Sequence, residues 1–386
     1  MDAPLNRIRE RIRAAAAERT LLRIRGGGSK DFYGQSLQGE LLDLGDLRGI
    51  LSYEPSELVV TVRAGTPLQE LQAALEEKGQ HLAFEPPCFG ASPGTRSAAT
   101  CGGMVAAGLS GPARASSGGV RDFVLGVTLL NGRAEALTFG GQVIKNVAGY
   151  DVSRLMAGAM GTLGVLTEIS LKVLPRPVAE ATLMCAGLAQ QSALDLLNRW
   201  GGQPLPLNAS CWVLDDGASP ALEHLFVRLR GAAAAVEAAC PLMSADVQAL
   251  GGSALRMDNA QAVPDWIGCR DQTLAFFRPP APEFGLWRLS VPQTAPELRL
   301  AFAQLIEWHG GLRWLWAPLS ALEQLRAAAA RAGGSATLFR APQAAGADAL
   351  ERFSPLSPAL RRIHERLKHE FDPAGVFNRG RLYAQW

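Results

Sequence analysis

The sequence predicts an α+β protein of two domains, divided at Pro175-Arg176-Pro177. Three observations carry this expectation. In the first half, short strands run into clusters of glycine, as where Thr20–Arg25 meets Gly26-Gly27-Gly28. Just before the proline pair, Val165, Thr167, Ile169, Leu171 and Val173 alternate with Leu166, Glu168, Ser170 and Lys172, the period of a strand. In the second half, short strands and helices alternate at the spacing of a smaller α+β domain with helices on one sheet face.

The elements follow in order. Arg7 to Arg13 is Arg-rich but interrupted by Glu10, and Leu5, Ile8 and Ile12 share one face. That pattern is an amphipathic helix more than a transit peptide. Leu58–Arg63 is a strand. Thr66-Pro67-Leu68-Gln69 then opens a helix, with Thr66 as N-cap, Pro67 in the first turn and Gln69 completing a capping box. Leu68, Leu71 and Leu75 form its buried stripe, and Gly79 ends it. Asn131-Gly132, between Asp122–Leu130 and Arg133–Phe139, predicts a two-residue hairpin. Beyond the prolines come a helix at Gln191–Trp200, strands at Ala209–Leu214 and Leu225–Arg230, and a helix at Ala232–Cys240. A strand at Leu286–Val291 precedes helix 296–308, strand 312–316, helix 320–332 and strand 335–339. A last helix, 358–370, follows Ser357-Pro358 with Leu360, Ile363 and Leu367 turned inward.

Composition narrows the function classes. Lys and Arg number 38 against 36 Asp and Glu, a net charge of +2, which excludes a protein built on bulk nucleic-acid binding. The six Cys are scattered without a CxxC pair, so a zinc or iron–sulfur site is not expected, and no other metal site is. They are expected as reduced, buried small hydrophobes. There is no apolar leader and no run of 18 apolar residues, which points to a soluble, cytoplasmic chain that reaches a membrane only through a partner.

Three glycine-rich blocks carry the chemistry. Arg25-Gly26-Gly27-Gly28-Ser29-Lys30 follows a strand, and glycines without Cβ atoms let successive N–H groups converge on an anion such as a pyrophosphate. It is neither a Walker loop nor a GxGxxG fingerprint, and a plain glycine turn is the alternative. The second block, Pro93–Gly119, contains Thr100-Cys101-Gly102-Gly103, and small residues at Ala106, Ala107 and Gly108 let a flat ligand lie against backbone. A flexible loop is the alternative, although so long a loop in a compact domain is uncommon without a task. The third, Gly141–Pro175, spaces Gly158, Gly161 and Gly164 by three ahead of a strand and gathers Lys145, Asn146, Tyr150, Asp151 and Arg154. That polar set is either a ligand wall or a salt-bridged corner.

In order and spacing, the strand leading to RGGGS, the PGT…TCGGMVA…SGGVRDFVLGVTLLNG stretch and the KNVAGYD…GTLGVLTEISLKVLP stretch resemble the FAD-binding domain of the vanillyl-alcohol oxidase (PCMH-type) superfamily. The tail FDPAGVFNRGRLY, Phe371–Tyr383, resembles that family's closing DPxGxxNPG segment, with Arg379 where the pattern has Pro. LWRLSVP (Leu286–Pro292) and GGLRWLWA (Gly310–Ala317) extend the likeness to nearly the whole chain, and to the FAD-binding E-subunit family of bacterial glycolate oxidase, or glycolate dehydrogenase. The resemblance implies a PCMH-type FAD-binding domain over 1–177, a smaller α+β cap over 178–370, and a segment 371–386 that returns to the first domain. It implies an FAD-dependent oxidoreductase subunit that takes or relays electrons as glycolate or another small 2-hydroxy acid becomes a 2-oxo acid. The implied partners are a second FAD-containing subunit and an iron–sulfur subunit, with peripheral contact to the inner membrane through the complex. A scaffold subunit with structural FAD and a free-standing flavin oxidase are the competing readings.

The resemblance also assigns residues. Arg25, Gly26, Gly27, Gly28, Ser29 and Lys30 form one FAD-binding loop; Pro93, Gly94, Thr95, Thr100, Cys101, Gly102, Gly103 and Ala106 form the second segment. Ser116, Ser117 and Gly118 lie at the third, and Gly161, Gly164, Val165, Leu166 and Asn378 complete the set. Neither the first loop nor the Ser116-Ser117-Gly118 stretch holds a His or Cys at a position where tethered relatives attach flavin, so the FAD is expected to be non-covalent. The chain has His at 81, 224, 309, 364 and 369, with no HxGDGN-like run, so no catalytic base is identified. Arg288 and Arg340 are weak candidates for holding a substrate carboxylate, with Arg313 in a similar setting. Trp287, Trp314, Trp316 and Phe339 flank them as expected core.

Overall fold

The computed structural model describes residues 3–90, 99–141, 151–215, 222–342 and 350–386. They form two compact units. The first is Met1–Ser110, Gly118–Arg176 and Glu351–Trp386; the second is Gly111–Ser117 and Pro177–Leu350. The junction lies inside the proline pair. Two segments depart from the simple division of the sequence: Gly111–Ser117 folds with the second unit, and Glu351–Glu370 folds with the first. The reason for the latter is the buried Lys368. Its ammonium donates to Thr162 O at 2.8 Å, Phe377 O at 2.8 Å and Asp372 Oδ2 at 2.7 Å, all in the first unit.

The first unit holds a five-stranded antiparallel sheet in the order Ile50–Glu54, Val59–Arg63, Val165–Lys172, Val124–Leu130 and Ala136–Gly140. The central strand is Val165–Lys172. Leu166, Ile169 and Leu171 join one apolar core with Leu68, Leu71, Leu75, Met104 and Val105, while Val165 joins another with Ile8, Ile12, Leu22 and Phe377. A strand buried on both faces needs apolar residues on both. Here Glu168 and Lys172 stay half-buried and Ser170 is held by Thr61 Oγ1 at 2.9 Å. Beside this sheet, Leu22–Arg25 pairs in parallel with Glu40–Asp43.

Two local expectations are corrected. The Leu68–Glu76 helix has no side-chain cap, because Thr66 Oγ1 accepts from Gly49 N–H at 2.9 Å and donates to Gly49 O at 3.2 Å. The hydroxyl serves a neighbouring turn instead of the helix. The hairpin after Leu130 is not a two-residue turn. Asn131 Oδ1 accepts from the N–H groups of Arg133 and Glu135, both at 2.9 Å, and Ala134 takes φ 58°. The asparagine side chain builds an Asx turn, which lengthens the loop.

The second unit is an eight-stranded antiparallel sheet. Its order is Ser253–Arg256, Ala179–Ala186, Leu222–Gly231, Leu207–Asp215, Gln304–Glu307, Leu312–Pro318, Phe284–Ser290 and Ser335–Arg340. Helices Gln190–Gly201 and Ala233–Ala249 share an apolar core with its Ala181, Leu183, Leu225, Val227 and Leu229. The expected helix 296–308 is instead an irregular stretch followed by the fully buried strand Gln304–Glu307. Pairing on both sides satisfies that strand's backbone groups, and this outweighs local helical preference. Helix Pro358–Phe371 matches its expected span, but Leu360 and Ile363 are 48% and 52% exposed. Lys368 claims the inward face, with Leu367 packed beside it on the core. All six cysteines are free and buried, and Trp287, Trp314 and Phe339 are core residues.

His309 is buried in the second unit. Its Nδ1 lies 2.9 Å from Ser210 Oγ and its Nε2 lies 3.2 Å from Ser116 Oγ. Burial pushes its pKa down to about 4. The unfolded chain binds this proton near pH 6.5 and the folded chain only near 4, so folding releases it between those values. The stability is complete above pH 6.5 and is lost as pH falls through 4, by ~3 kcal/mol at pH 4. We expect denaturant midpoints to drop across this window in the natural chain and to drop less in His309→Gln. Parallel pH profiles for the two proteins would contradict the assignment.

Candidate functional site

A cavity of about 360 Å³ lies in the first unit. Four stretches distant in sequence line it: Arg25–Lys30; Thr100, Gly102, Gly103 and Ala106; Gly161, Gly164 and Leu166; and Asn378. The Leu22–Arg25 strand delivers the first loop. Among the described residues, the N–H groups of Gly26, Gly27 and Gly28 donate to no protein acceptor. Gly28 has φ +78°, and a Cβ there would run into the Arg25 guanidinium; a Cβ on Gly26 would strike Thr100 Oγ1. The positive φ makes glycine the fitting residue at position 28, and the turn leaves backbone donors at the cavity.

The second wall is the start of the Cys101–Ala107 helix. Its early N–H groups are used within the protein: Cys101 to Thr66 O at 2.9 Å, Gly102 to Ala64 O at 2.7 Å and Gly103 to Thr100 Oγ1 at 3.2 Å. This segment offers a close, flat backbone surface, and the open donors belong to the first loop. Asn378 stitches the walls together. Its Oδ1 accepts from Ile24 N–H at 2.8 Å and its Nδ2 donates to Met160 O at 2.7 Å. Arg379 is exposed, and the turn at the missing Pro is closed by Arg381 N–H on Asn378 O at 3.0 Å.

The lining is cationic. Arg23, Arg25, Lys30 and Arg381 face it, with Asp31 as the one lining carboxylate among the described residues, and Arg25 Nε lies 2.8 Å from Asp31 Oδ2. Burial pulls the Arg381 guanidinium down to about 10, which leaves it charged at neutral pH. It donates to the carbonyls of Gln35, Lys30 and Asp31 and so fixes the loop after the glycines. Ile24, Leu37, Leu44, Met156 and Leu163 make the rest of the wall apolar. Converging amides, excess positive charge and an apolar flank fit a diphosphate joined to flat rings, as in FAD.

Not every sequence candidate lines this cavity. Cys101 is fully buried in the core, where desolvation and the nearby Glu70 carboxylate push its thiol well above the usual range. Val165 is core, and Gly118 is a turn residue with φ +94°. Ser116 and Ser117 fold with the second unit, where Ser116 Oγ donates to Leu207 O at 2.8 Å. Pro93, Gly94, Thr95, Lys145, Asn146 and Tyr150 lie outside the described residues. Asp151 and Arg154 form an ion pair at 2.8 Å. Arg23, Arg381 and Met160 were missed. Arg23 carried a signal, an Arg two residues before the loop Arg on the same strand face; Arg381 carried none before the tail was folded back.

In the second unit, Arg313 is fully buried and donates to the carbonyls of Gly310, Pro296 and Ala295, a structural use. Arg340 donates to Gln272 Oε1 at 2.9 Å, and burial lowers its pKa to about 10. Arg288 stands over the Trp308 ring at 5.2 Å. Of the other histidines, His364 packs against Tyr383 and Trp386. Among the described residues no cluster of His, Cys, Asp and Glu forms a metal site, and no helix is long and apolar enough to cross a membrane.

Comparison with known proteins agrees with this geometry. Residues 5–140 match the model of an FAD binding domain. The chain is 45% identical over 376 residues to glycolate oxidase subunit GlcE of Escherichia coli, covering 97% of this chain and 96% of that one. It is 33% identical over 135 residues to glycolate oxidase subunit GlcD of Bacillus subtilis, covering 35% of this chain and 27% of that one. In fold it is similar to p-cresol methylhydroxylase, with a TM-score of 0.69, 12% identity, and coverage of 98% of this chain and 87% of that one.

Proposed function

This chain belongs to the family of the glycolate oxidase subunit GlcE, and from that premise we propose that it is the FAD-binding subunit of a glycolate-oxidising complex. It takes or relays electrons as a small 2-hydroxy acid becomes a 2-oxo acid. The observation that carries the reading is the cavity itself, with open amides at Gly26, Gly27 and Gly28 beside Arg23, Arg25 and Lys30. Those groups would hold the diphosphate. Ala106, Gly161 and Leu166 would give the rings a close wall, and Asn378 keeps the two glycine segments in register. FAD supplies the two-electron acceptance that turns a CH–OH group into a carbonyl. We take the binding to be non-covalent, since among the described residues no Cys or His lines the cavity and Cys101, beside the lining Thr100 and Gly102, is buried in the core.

His309 has both ring nitrogens engaged by serines, so it does not serve as a proton acceptor. A missing general base removes about 10²–10⁴-fold in rate. The partners are a second flavin subunit and an iron–sulfur subunit, through which the complex meets the inner membrane. The test is anaerobic mixing of the purified chain with glycolate and with D-lactate, following the visible flavin band, before and after adding the partners. We expect slow or no bleaching alone and fast bleaching in the complex, with the flavin released into the supernatant by acid. Fast, saturable bleaching by the lone chain would identify a free-standing oxidase, silence in both a structural FAD. Flavin retained in the acid pellet would contradict non-covalent binding.

A further inference from the structure

We propose that the Met160 side chain is the seat for one of the flat rings of FAD; this rests on the flavin reading above. Met160 lies in the first unit, in the loop between the Val152–Leu155 helix and the Val165–Lys172 strand, and it lines the cavity. Its backbone is tied on both sides. The N–H donates to Ala106 O at 2.8 Å, and the C=O accepts from Asn378 Nδ2 at 2.7 Å. Two positions earlier, Gly158 N–H donates to Val105 O at 3.0 Å. The loop is thereby zipped to the last turn of the Cys101–Ala107 helix, the second wall of the cavity.

The conformation singles out the side chain. Gly158, Met160 and Gly161 have φ of 87°, 51° and 72°. Left-handed backbone suits glycine, and a Cβ there is strained. Glycine at position 160 would form the same backbone bonds without that strain, because none of them uses the side chain. Among the described residues, Met160 and Asn378 are the non-glycine residues of positive φ that line the cavity. Asn378 has its reason: asparagine tolerates this region, and its amide bonds Ile24 and Met160. Met160 has no polar group to bond. Strain of this kind persists where the fold over-determines it, commonly at ligand clamps. The methyl group of Met160 reaches Gly34, where an added Cβ would stand 3.0 Å from it and 3.2 Å from Arg381 Nε. The side chain therefore bridges the third glycine block and the loop that follows the first, with a cation beside it. A polarisable thioether next to a guanidinium is a surface for the face of a π-system.

The recognised group is a flat heteroaromatic ring, and FAD carries two, the isoalloxazine and the adenine. The first test uses the natural chain, in the dark. Dilute hydrogen peroxide turns a thioether into a sulfoxide with release of water, and peptide mass mapping reads the added oxygen. We expect FAD to slow oxidation of Met160 several-fold and to leave Met257, in the second unit, unaffected. Protection of the flavin-free chain by ADP assigns the adenine to Met160, and protection by FMN assigns the isoalloxazine. The second test is FAD affinity. Met160→Leu keeps the bulk and the apolar surface and should stay near the natural value, whereas Met160→Gly should bind about tenfold more weakly. Circular dichroism shows whether each variant is folded. Equal oxidation of Met160 with and without FAD would overturn the seat, and so would natural affinity in a folded Met160→Gly chain. A natural chain that takes up no flavin would count against the flavin reading instead.

Discussion

Gly28→Val is expected to leave a folded chain that no longer loads flavin. Two effects act together. The residue sits at φ +78°, which a β-branched side chain rarely adopts, and its Cβ would collide with the Arg25 guanidinium. Relieving the φ strain moves the Gly26–Gly28 amides away from the cavity, and the collision pushes aside the Arg25 guanidinium that lines it. Gly103→Val attacks the facing wall by a different route. Its Cβ would sit 3.1 Å from Thr100 Oγ1, and its methyls would project from a residue that lines the cavity. Gly27→Val fills the same cavity from the first loop. Flavin per chain, read from the visible band against protein absorbance, should fall below about a tenth of the natural value for Gly28→Val, a loss of more than ~1.4 kcal/mol in binding. Arg288→Ala should keep its flavin. Circular dichroism shows whether each variant is folded, and full flavin occupancy in folded Gly28→Val would move the diphosphate site elsewhere.

Lys368→Met should be strongly destabilising. The ammonium and the Asp372 carboxylate are 2.7 Å apart, with side-chain exposures of 8% and 0%. Burial lowers the Lys368 pKa while Asp372 opposes the shift. Removing the lysine leaves a fully buried carboxylate and strips the Thr162 and Phe377 carbonyls of their donor. Breaking a buried pair from one side typically costs about 3–5 kcal/mol. Asp372 also accepts from the N–H groups of Val376 and Phe377, so the tail that carries Asn378 is built on this pair. Flavin content should therefore fall with stability. Denaturant unfolding of Lys368→Met and of Lys368→Met/Asp372→Asn checks the account. The double variant should recover part of the loss, and a single variant within ~0.5 kcal/mol of the natural chain would show the pair to be dispensable.

Sequence alone determined what depends on neighbours in the chain. The Arg25–Lys30 loop, the strand at Val165–Lys172, the boundary at the proline pair and the buried reduced cysteines are local facts of glycine, alternation, proline and apolar spacing. The order of the glycine blocks also made the family legible. Tertiary structure decided what depends on partners far away. Gln304–Glu307 became a strand because two neighbouring strands were waiting to pair with it. Thr66 gave its hydroxyl to Gly49, and Lys368 displaced Leu360 and Ile363 from the inward face. Ser116 left the flavin-domain sequence to meet His309, and Arg381 reached the cavity only once the tail had folded back. In each case a polar group buried on folding had to find an acceptor or donor, and the free energy of leaving it unpaired exceeds the local preferences that the sequence displays.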